Sequence, residues 1–413
     1  MSRITACRSC GASGLETVLS LGETPLANAL LREEDLGRPE PRYPLDLAFC
    51  PACSLVQITE TVPPEILFRD YLYFSSFSDG MLRHAEELTG RLVRERNLGP
   101  GSLAVEVASN DGYLLQYYQR AAVPVLGIEP ARNIAKVAVE RGIPTVAEFF
   151  GVDLARQLVA EGKRADVIHA NNVLAHVADL NGFVAGFAVL LKESGAAIIE
   201  VPYLGEMIPG LEFDTIYHEH LCYFSLTALS RLFARHELAV TDVERIPLHG
   251  GSLLLTVTPA ATRRSPSPRV EALLAREAAA GVPGRAYYQD FAPRVARWRE
   301  SFRGFLGDLK AKGRRLAAYG AAAKGSTLLN YAGVGTDVLD FVADRSTVKQ
   351  GRYMPGVHLH VRPPAALLES RPDAVVLLTW NFKDEILAQQ AEYRSAGGRF
   401  IVPVPAVEWA DRP

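Results

Sequence analysis

Cys7 and Cys10 bracket Arg-Ser, and Cys50 and Cys53 bracket Pro-Ala. A two-residue spacer lets a tight turn aim both sulfurs at one point. Two such pairs therefore offer four thiolates to one tetrahedral ion, with Gly11 easing the first turn. This forces residues 7 and 50 to meet in space and folds a small N-terminal segment, expected over 1–65, around zinc. Four thiolates leave no open coordination position, so the metal is expected to be structural. The 39 residues between the pairs leave room for a hairpin or a short helix. A redox dithiol is the competing reading of either pair, but neither sits at a strand-to-helix junction. Five cysteines in 413 residues, four paired in this way, point to a reduced metal-binding protein and away from a disulfide framework.

A chain of 413 residues exceeds one ordinary core, so two or three domains are expected. The net charge of −3 argues against generic nucleic-acid binding. MSRITACRSCG lacks the apolar core of a signal peptide, and no run approaches a membrane span, so the cytoplasm is the expected location. GSLAVEVASNDG (101–112) reads as an apolar strand running into a small-residue turn, with the helix YLLQYYQRA after it. VPVLGIEP then closes on Glu129. A strand, a turn exposing backbone amides and an acid ending the next strand form the nucleotide-ribose constellation of an α/β sheet. The same parts bind S-adenosylmethionine in methyltransferases. Ala108 and Asn110 occupy positions usually filled by glycine. ADVIHANNVLAHVADL adds a further strand with Asn171 and Asn172 at its end, where ligands lie in such sheets. The candidate cofactor residues are Glu106, Ser109, Asn110, Gly112, Glu129, Pro130, Phe149, Asn171 and Asn172.

After the strand AAIIEVPYL comes FDTIYHEHLCYFS (213–225). Tyr217, His218, Glu219 and His220 set a phenol, two imidazoles and a carboxylate side by side. That density suits proton transfer: one imidazole serves as base while the carboxylate orients or acidifies the other. A zinc site and an ordinary hydrogen-bonded cluster share the same spacing. Tyr71, Tyr73, Phe74 and Phe77 alternate with serines, as core rings or as a loop lining a pocket. LAVTDVERIP and GGSLLLTVTP read as paired strands.

Residues 262–285, rich in Pro, Ser and basic side chains before an Ala-rich helix, read as a domain junction. A long helix (287–312), the strand RRLAAYG, the turn AAAKGST and a further helix follow. Gly320, Ala322 and Gly325, with Asp344 ending VLDFVADR, fit a relaxed dinucleotide fingerprint, which admits an NAD-dependent enzyme. Lys324 inside the turn suits a pyrophosphate better. DAVVLLTWNFKDEI reads as a buried strand ending at Trp380 and Asn381, with Lys383 and Arg352 as candidate phosphate contacts.

EVASNDGYLL, ANNVLAHVADL, FDTIYHEHLCYFS and HGGSL, in this order behind four cysteines, resemble the sugar C-methyltransferase family of bacterial deoxysugar and antibiotic pathways. The resemblance extends over nearly the whole chain. It implies an α/β protein in three parts: a zinc-binding segment (1–65), a Rossmann-like S-adenosylmethionine domain (66–285) and a smaller Rossmann-like domain (286–413) that helps hold the nucleotide of a sugar substrate. The implied reaction is methyl transfer to the carbon alpha to the ketone of a nucleotide-linked 4-keto-6-deoxy sugar. His220 would be the base, Glu219 its partner and Tyr217 a donor near the sugar, with Tyr71 and His176 lining the pocket. Tyr73, Phe74, Tyr203, Lys324, Gly325, Ser326, Arg352 and Lys383 are the candidate substrate contacts. Tyr203 stands where the family pattern has histidine, and Cys222 where it has serine. A non-sugar ketone substrate and a binding protein that has lost catalysis are the other readings, though no binding module needs the YHEH group. The oligomeric state is left open.

Overall fold

The computed structural model describes residues 2–68, 74–248 and 250–410, and in it the chain builds four β-sheets among the described residues. The largest has seven strands in the order Leu238–Ile246, Ser252–Pro259, Leu191–Pro202, Ala165–Asn171, Ala104–Val107, Val125–Ile128 and Thr145–Val146. AVEV and VLGI are buried throughout, as expected of parallel strands covered on both faces. The five strands of the Rossmann-like half run parallel, and the hairpin 238–259 adds an antiparallel edge. From Ala104–Val107 the chain winds outward to Thr145–Val146, then crosses back to Ala165–Asn171 on the other side. The order reverses there, opening a crevice at the carboxyl ends of the strands.

The two CxxC pairs flank a hairpin of Glu16–Thr24 and Tyr43–Phe49, extended by Val56–Ile58. Its fourth strand comes from far along the chain: Cys222–Tyr223 pairs antiparallel with Gln57 and Val56. A six-stranded sheet ends the protein, in the order Val361–Arg362, Val342–Ala343, Leu316–Tyr319, Ala374–Leu377, Arg399–Val402, Glu408–Trp409. The helix leading to it, Phe291–Ala311, buries Phe291, Val295, Trp298, Phe302 and Leu306, one stripe at helical spacing. The helix after Leu316–Tyr319 begins at Ala323, so Lys324, Gly325 and Ser326 lie in its first turn and not in the preceding loop. The Ala-rich helix Pro268–Ala280, expected at a junction, packs on strand Leu238–Ile246 and so belongs with the large sheet. Among the described residues no helix is long and apolar enough to cross a membrane.

Everything between Pro202 and Leu226 is a connection that touches all three other regions. Leu221 N–H donates to Ala175 O and Leu221 O accepts from Ile58 N–H, at 2.7 and 3.0 Å. Thr327 Oγ1 donates to Ile216 O at 3.2 Å. The connection ends in helix Leu226–Ala234, whose first amides are taken by a carboxylate distant in sequence. Glu277 accepts from Leu226 N, Thr227 N and Thr227 Oγ1 at 2.7, 2.8 and 2.6 Å and is itself buried. An anion at a helix N-terminus, bonded to otherwise orphaned donors, fixes where the helix starts. Glu277→Ala is expected to cost about 3 kcal/mol of stability, since hydrogen bonds to a charged group contribute roughly 1.5–3 kcal/mol each and part is regained by water. Urea unfolding midpoints of wild type and variant measure this.

Candidate active site

The four cysteine sulfurs lie within 4.8 Å of one another, with Cys7–Cys53 at 3.5 Å and Cys10–Cys50 at 3.6 Å. Sulfurs around tetrahedral zinc stand about 3.8 Å apart, given a Zn–S bond of about 2.3 Å, so the donor set fits the ion. Each pair closes the same turn: Gly11 N–H donates to Cys7 O at 2.9 Å, and Ser54 N–H to Cys50 O at 2.8 Å. Both turns need a left-handed residue, and Ser54 takes it at φ 65° where the first turn has Gly11 at 72°. Ser54 is held there by its hydroxyl, which donates to Pro283 O and accepts from Arg231. Gln57 Nε2 donates to Cys7 Sγ at 3.1 Å, as an outer partner of a metal thiolate does.

A cavity of about 860 Å³ runs from the crevice of the seven-stranded sheet to the first turn of the C-terminal sheet. At its crevice end the Glu129 carboxylate accepts from Asn110 N and Ala131 N at 2.9 and 2.8 Å, which leaves one lone pair on each oxygen for a ligand. Ala108, Asn110 and Gly112 have φ of 56°, 49° and 80°, so the two residues standing in for glycine do adopt the left-handed backbone. The Asn110 side chain helps, accepting from Ser75 N at 2.9 Å. A Cβ on Gly127 would come within 2.6 Å of Ser109 Oγ, so the strand and turn meet only because glycine is there. Pro130, Phe149, Asn171 and Asn172 line the same end. Asn172 turns its amide away, donating to Glu200 at 2.5 Å, while His84 takes the other Glu200 oxygen at 2.7 Å. Glu106 and Ser109 lie beneath the turn, both fully buried, and Gly112 packs against Ile143. Burial, with Glu129 and Asp111 nearby, pushes the Glu106 carboxyl well above the usual range.

In the middle of the cavity His220 Nδ1 lies 2.8 Å from Thr215 O. A carbonyl only accepts, so Nδ1 carries the proton and Nε2 presents its lone pair, to which the Tyr217 hydroxyl donates at 2.7 Å. His176 stands edge-on to His220 with ring centres 4.7 Å apart, and its Nδ1 donates to Glu219 O at 2.7 Å. Burial lowers its pKa to about 4, so it stays neutral. The Glu219 carboxylate does not reach either neighbouring imidazole. Both its oxygens accept from Asn28 Nδ2, at 2.8 and 2.9 Å, and burial raises its pKa to about 7 against the pull of Asn28 and Lys349. His218 points the other way, against Pro44 O and the Tyr43 ring, and is part of the N-terminal packing. Tyr71 and Tyr73 lie outside the described residues, as does His249 of the HGGSL motif. Phe74 stacks on Phe77, and neither lines the cavity.

At the far end Lys324 Nζ sits 4.2 Å above the Trp380 ring and donates to Asn381 Oδ1 at 3.1 Å. Trp380 Nε1 donates to the buried Asp214 carboxylate at 2.7 Å. Tyr203 lines the cavity beside Glu277, and burial raises its hydroxyl pKa. Cys222 also borders the cavity, its thiol pushed up to about 12 by burial. Gly325 and Ser326 are packing positions: a Cβ at Gly325 would meet Leu378 Cβ at 2.8 Å, and Ser326 is buried. Lys383 lines a separate hollow of about 430 Å³, and Arg352 lies off both. Asn28, Glu212 and Lys349 line the cavity without any motif to signal them.

An open Rossmann-like sheet with the acid Glu129 ending one strand, and a phenol-imidazole cluster at Tyr217 and His220, thus share one cavity. Residues 247–405 match the family described as C-methyltransferase C-terminal domain, 81–243 a methyltransferase domain, and 7–68 one titled "Putative zinc binding domain". C-methyltransferase NovU of Streptomyces niveus is 36% identical over 402 residues, 97% of this chain and 96% of NovU. A ubiquinone biosynthesis O-methyltransferase of Bartonella quintana (strain Toulouse) is 24% identical over 33% of this chain and 60% of its own. Magnesium protoporphyrin IX methyltransferase (ChlM) from Synechocystis PCC 6803, solved with bound SAM, is 13% identical with a TM-score of 0.34, over 43% of this chain and 80% of its own. The chain belongs to the C-methyltransferase family that includes NovU, and is an S-adenosylmethionine-dependent enzyme with a zinc-binding domain.

Two outcomes follow from this geometry. Trp380→Phe keeps the ring face under Lys324 but removes the donor to Asp214, so turnover is expected to fall about tenfold or more while the affinity for S-adenosylmethionine, measured by calorimetry, is unchanged. Glu219 has a folded pKa of about 7, above the usual value of 4.5. The folded state therefore binds more protons than the unfolded state between those values, and stability falls as pH rises through that window. The melting temperature of Glu219→Gln, relative to wild type, is expected to improve from pH 5 to pH 7.5.

Proposed function

We propose that the protein methylates the carbon alpha to the ketone of a nucleotide-linked 4-keto-6-deoxy sugar, carried on thymidine diphosphate, in the cytoplasm. His220 is the base. The observation that carries this reading is the fixed tautomer of His220: Nδ1–H is committed to Thr215 O, and the basic Nε2 faces the cavity beside a phenol. The relationship to NovU supports the carbon acceptor, and Lys324 at the end remote from Glu129 supports an anionic group on the substrate.

A proton alpha to a ketone is too weakly acidic to leave unaided. His220 Nε2 takes that proton, and the C–H electron pair moves into the carbonyl as an enolate. Tyr217, released from Nε2 once that nitrogen is protonated, donates to the enolate oxygen. S-adenosylmethionine, when bound, supplies an electrophilic methyl group. Glu129, with a lone pair left on each oxygen, holds and orients it, and the apolar walls keep water from the carbanion. The His176 ring, neutral and tied to Glu219 O, keeps His220 in line.

The test is mass spectrometry of reactions run in heavy water with S-adenosylmethionine and a panel of thymidine-diphospho-4-keto-6-deoxy sugars, with and without a 3-amino group. Wild type is expected to add one methyl. His220→Asn is expected to lose methyl transfer and deuterium exchange by about 10²–10⁴-fold while keeping its affinity for S-adenosylmethionine. Equal loss of cofactor affinity would remove His220 from the role of base, and a panel that gains no methyl would remove the sugar.

A further inference from the structure

Glu212 lies two residues before Asp214, on the wall of the cavity that also holds Tyr217, His220 and Lys324. Its main chain is tied down, with its N–H donating to Met207 O at 3.0 Å and its carbonyl accepting from Thr215 Oγ1 at 2.7 Å. Its carboxyl makes no hydrogen bond among the described residues, although the residue is only 8% exposed. Its oxygens open onto the cavity, where no described protein group competes for them, so the carboxyl is available to a ligand. Glycine makes the room for it: a Cβ on Gly250, whose φ is 96°, would come within 2.6 Å of Glu212 Oε2, and one on Gly210 within 3.1 Å of Oε1.

The surroundings favour the protonated form of the acid. Burial raises the Glu212 pKa to about 8; Lys324 pulls it down, while Asp214 and Glu206 push it up. Each neighbour is engaged elsewhere. Lys324 rests on Trp380 and Asn381, Asp214 accepts from Trp380, and Glu206 pairs with Arg245. A neutral carboxyl donates through its O–H, and in a cavity that the Lys324 ammonium group also lines the ligand atom that suits both is an anionic oxygen.

We propose that Glu212 is a substrate-binding residue that acts as a neutral carboxylic acid, donating a hydrogen bond to an anionic oxygen of the ligand drawn in by Lys324. Resting on the sugar-nucleotide reading above, that oxygen belongs to the diphosphate. Binding then stabilises the protonated acid, so above its free pKa the complex takes up a proton, and affinity falls as pH rises. Lys324 losing its proton at higher pH also weakens an anion, and a Glu212 variant separates the two.

The experiment is calorimetry of thymidine-diphospho-glucose, whose diphosphate does not titrate near neutrality, in buffers of different ionisation enthalpy from pH 7 to 9. Wild type is expected to lose roughly tenfold in affinity across that range and to approach uptake of one proton at pH 9. Glu212→Gln keeps a donor, so its affinity at pH 7 stays within about threefold while the proton uptake and the pH dependence disappear. Glu212→Ala weakens binding at pH 7 at least tenfold, with S-adenosylmethionine affinity confirming that both variants are folded. Proton uptake by wild type is read without any variant, and its absence overturns the proposal. Uptake that persists in Glu212→Gln overturns it too, assigning the proton to Lys324. Failure of wild type to bind the probe at any pH overturns the sugar-nucleotide reading together with this one.

Discussion

The hydrogen bond between the buried Asp214 carboxylate and the Trp380 indole joins the C-terminal sheet to the segment that carries His220. Thr215, the next residue, offers its carbonyl to His220 Nδ1 and so decides which imidazole nitrogen is basic. The same indole carries Lys324 on its face. The Lys324 ammonium group and the His220 tautomer thus both rest on one side chain, and a shift of that ring moves both.

The connection 203–225 could not hold this shape alone. It has little regular structure, and its polar groups find partners in other parts of the chain: Asn28 for Glu219, Pro44 O for His218, Ala175 O and Ile58 N–H for Leu221, Thr327 for Ile216 O. Cys222–Tyr223 completes the sheet of the zinc-binding domain. The zinc knot therefore does more than tie its own segment. By holding the strand Val56–Ile58 and the loop with Asn28, it supports the floor of the cavity more than 160 residues later in sequence. A structural metal remote from the reacting atoms can affect catalysis through this packing.

Much of this was legible in the residues. The CxxC pairs required four sulfurs to meet, and the strand ending in Glu129 after a small-residue turn specified the ligand end of an α/β sheet, even with Ala108 and Asn110 in glycine's place. Those two positions show why the pattern survives substitution: the left-handed backbone costs about 1–2 kcal/mol outside glycine, and at Asn110 a hydrogen bond to Ser75 N offsets it. Glu219 shows the opposite. Adjacency to two histidines suggests an imidazole partner, yet Tyr217–His220 is a tight turn closed by His220 N–H on Tyr217 O at 2.9 Å, which sends consecutive side chains in different directions, and its carboxylate faces Asn28. Glu212 and Asn28 carry no local signal, because what makes them notable is the space around them.

The sequence by itself determined the chemistry available and the local geometry: four thiolates at knuckle spacing, strands of parallel-sheet character, and a phenol, two imidazoles and an acid in one stretch. These are properties of short windows, where covalent spacing and backbone preference act directly. Tertiary structure decided which of those groups share a site and in what protonation state. It packed His218 against the N-terminal segment, left His220 Nε2 facing the cavity, fixed Asp214 to Trp380 and buried the Glu212 carboxyl so that its pKa is raised. The physical reason is that burial and hydrogen bonding set tautomer and charge: the bond that sets the His220 tautomer is local, but the loop that makes it is held by partners more than a hundred positions away, Trp380, Pro44 and Asn28.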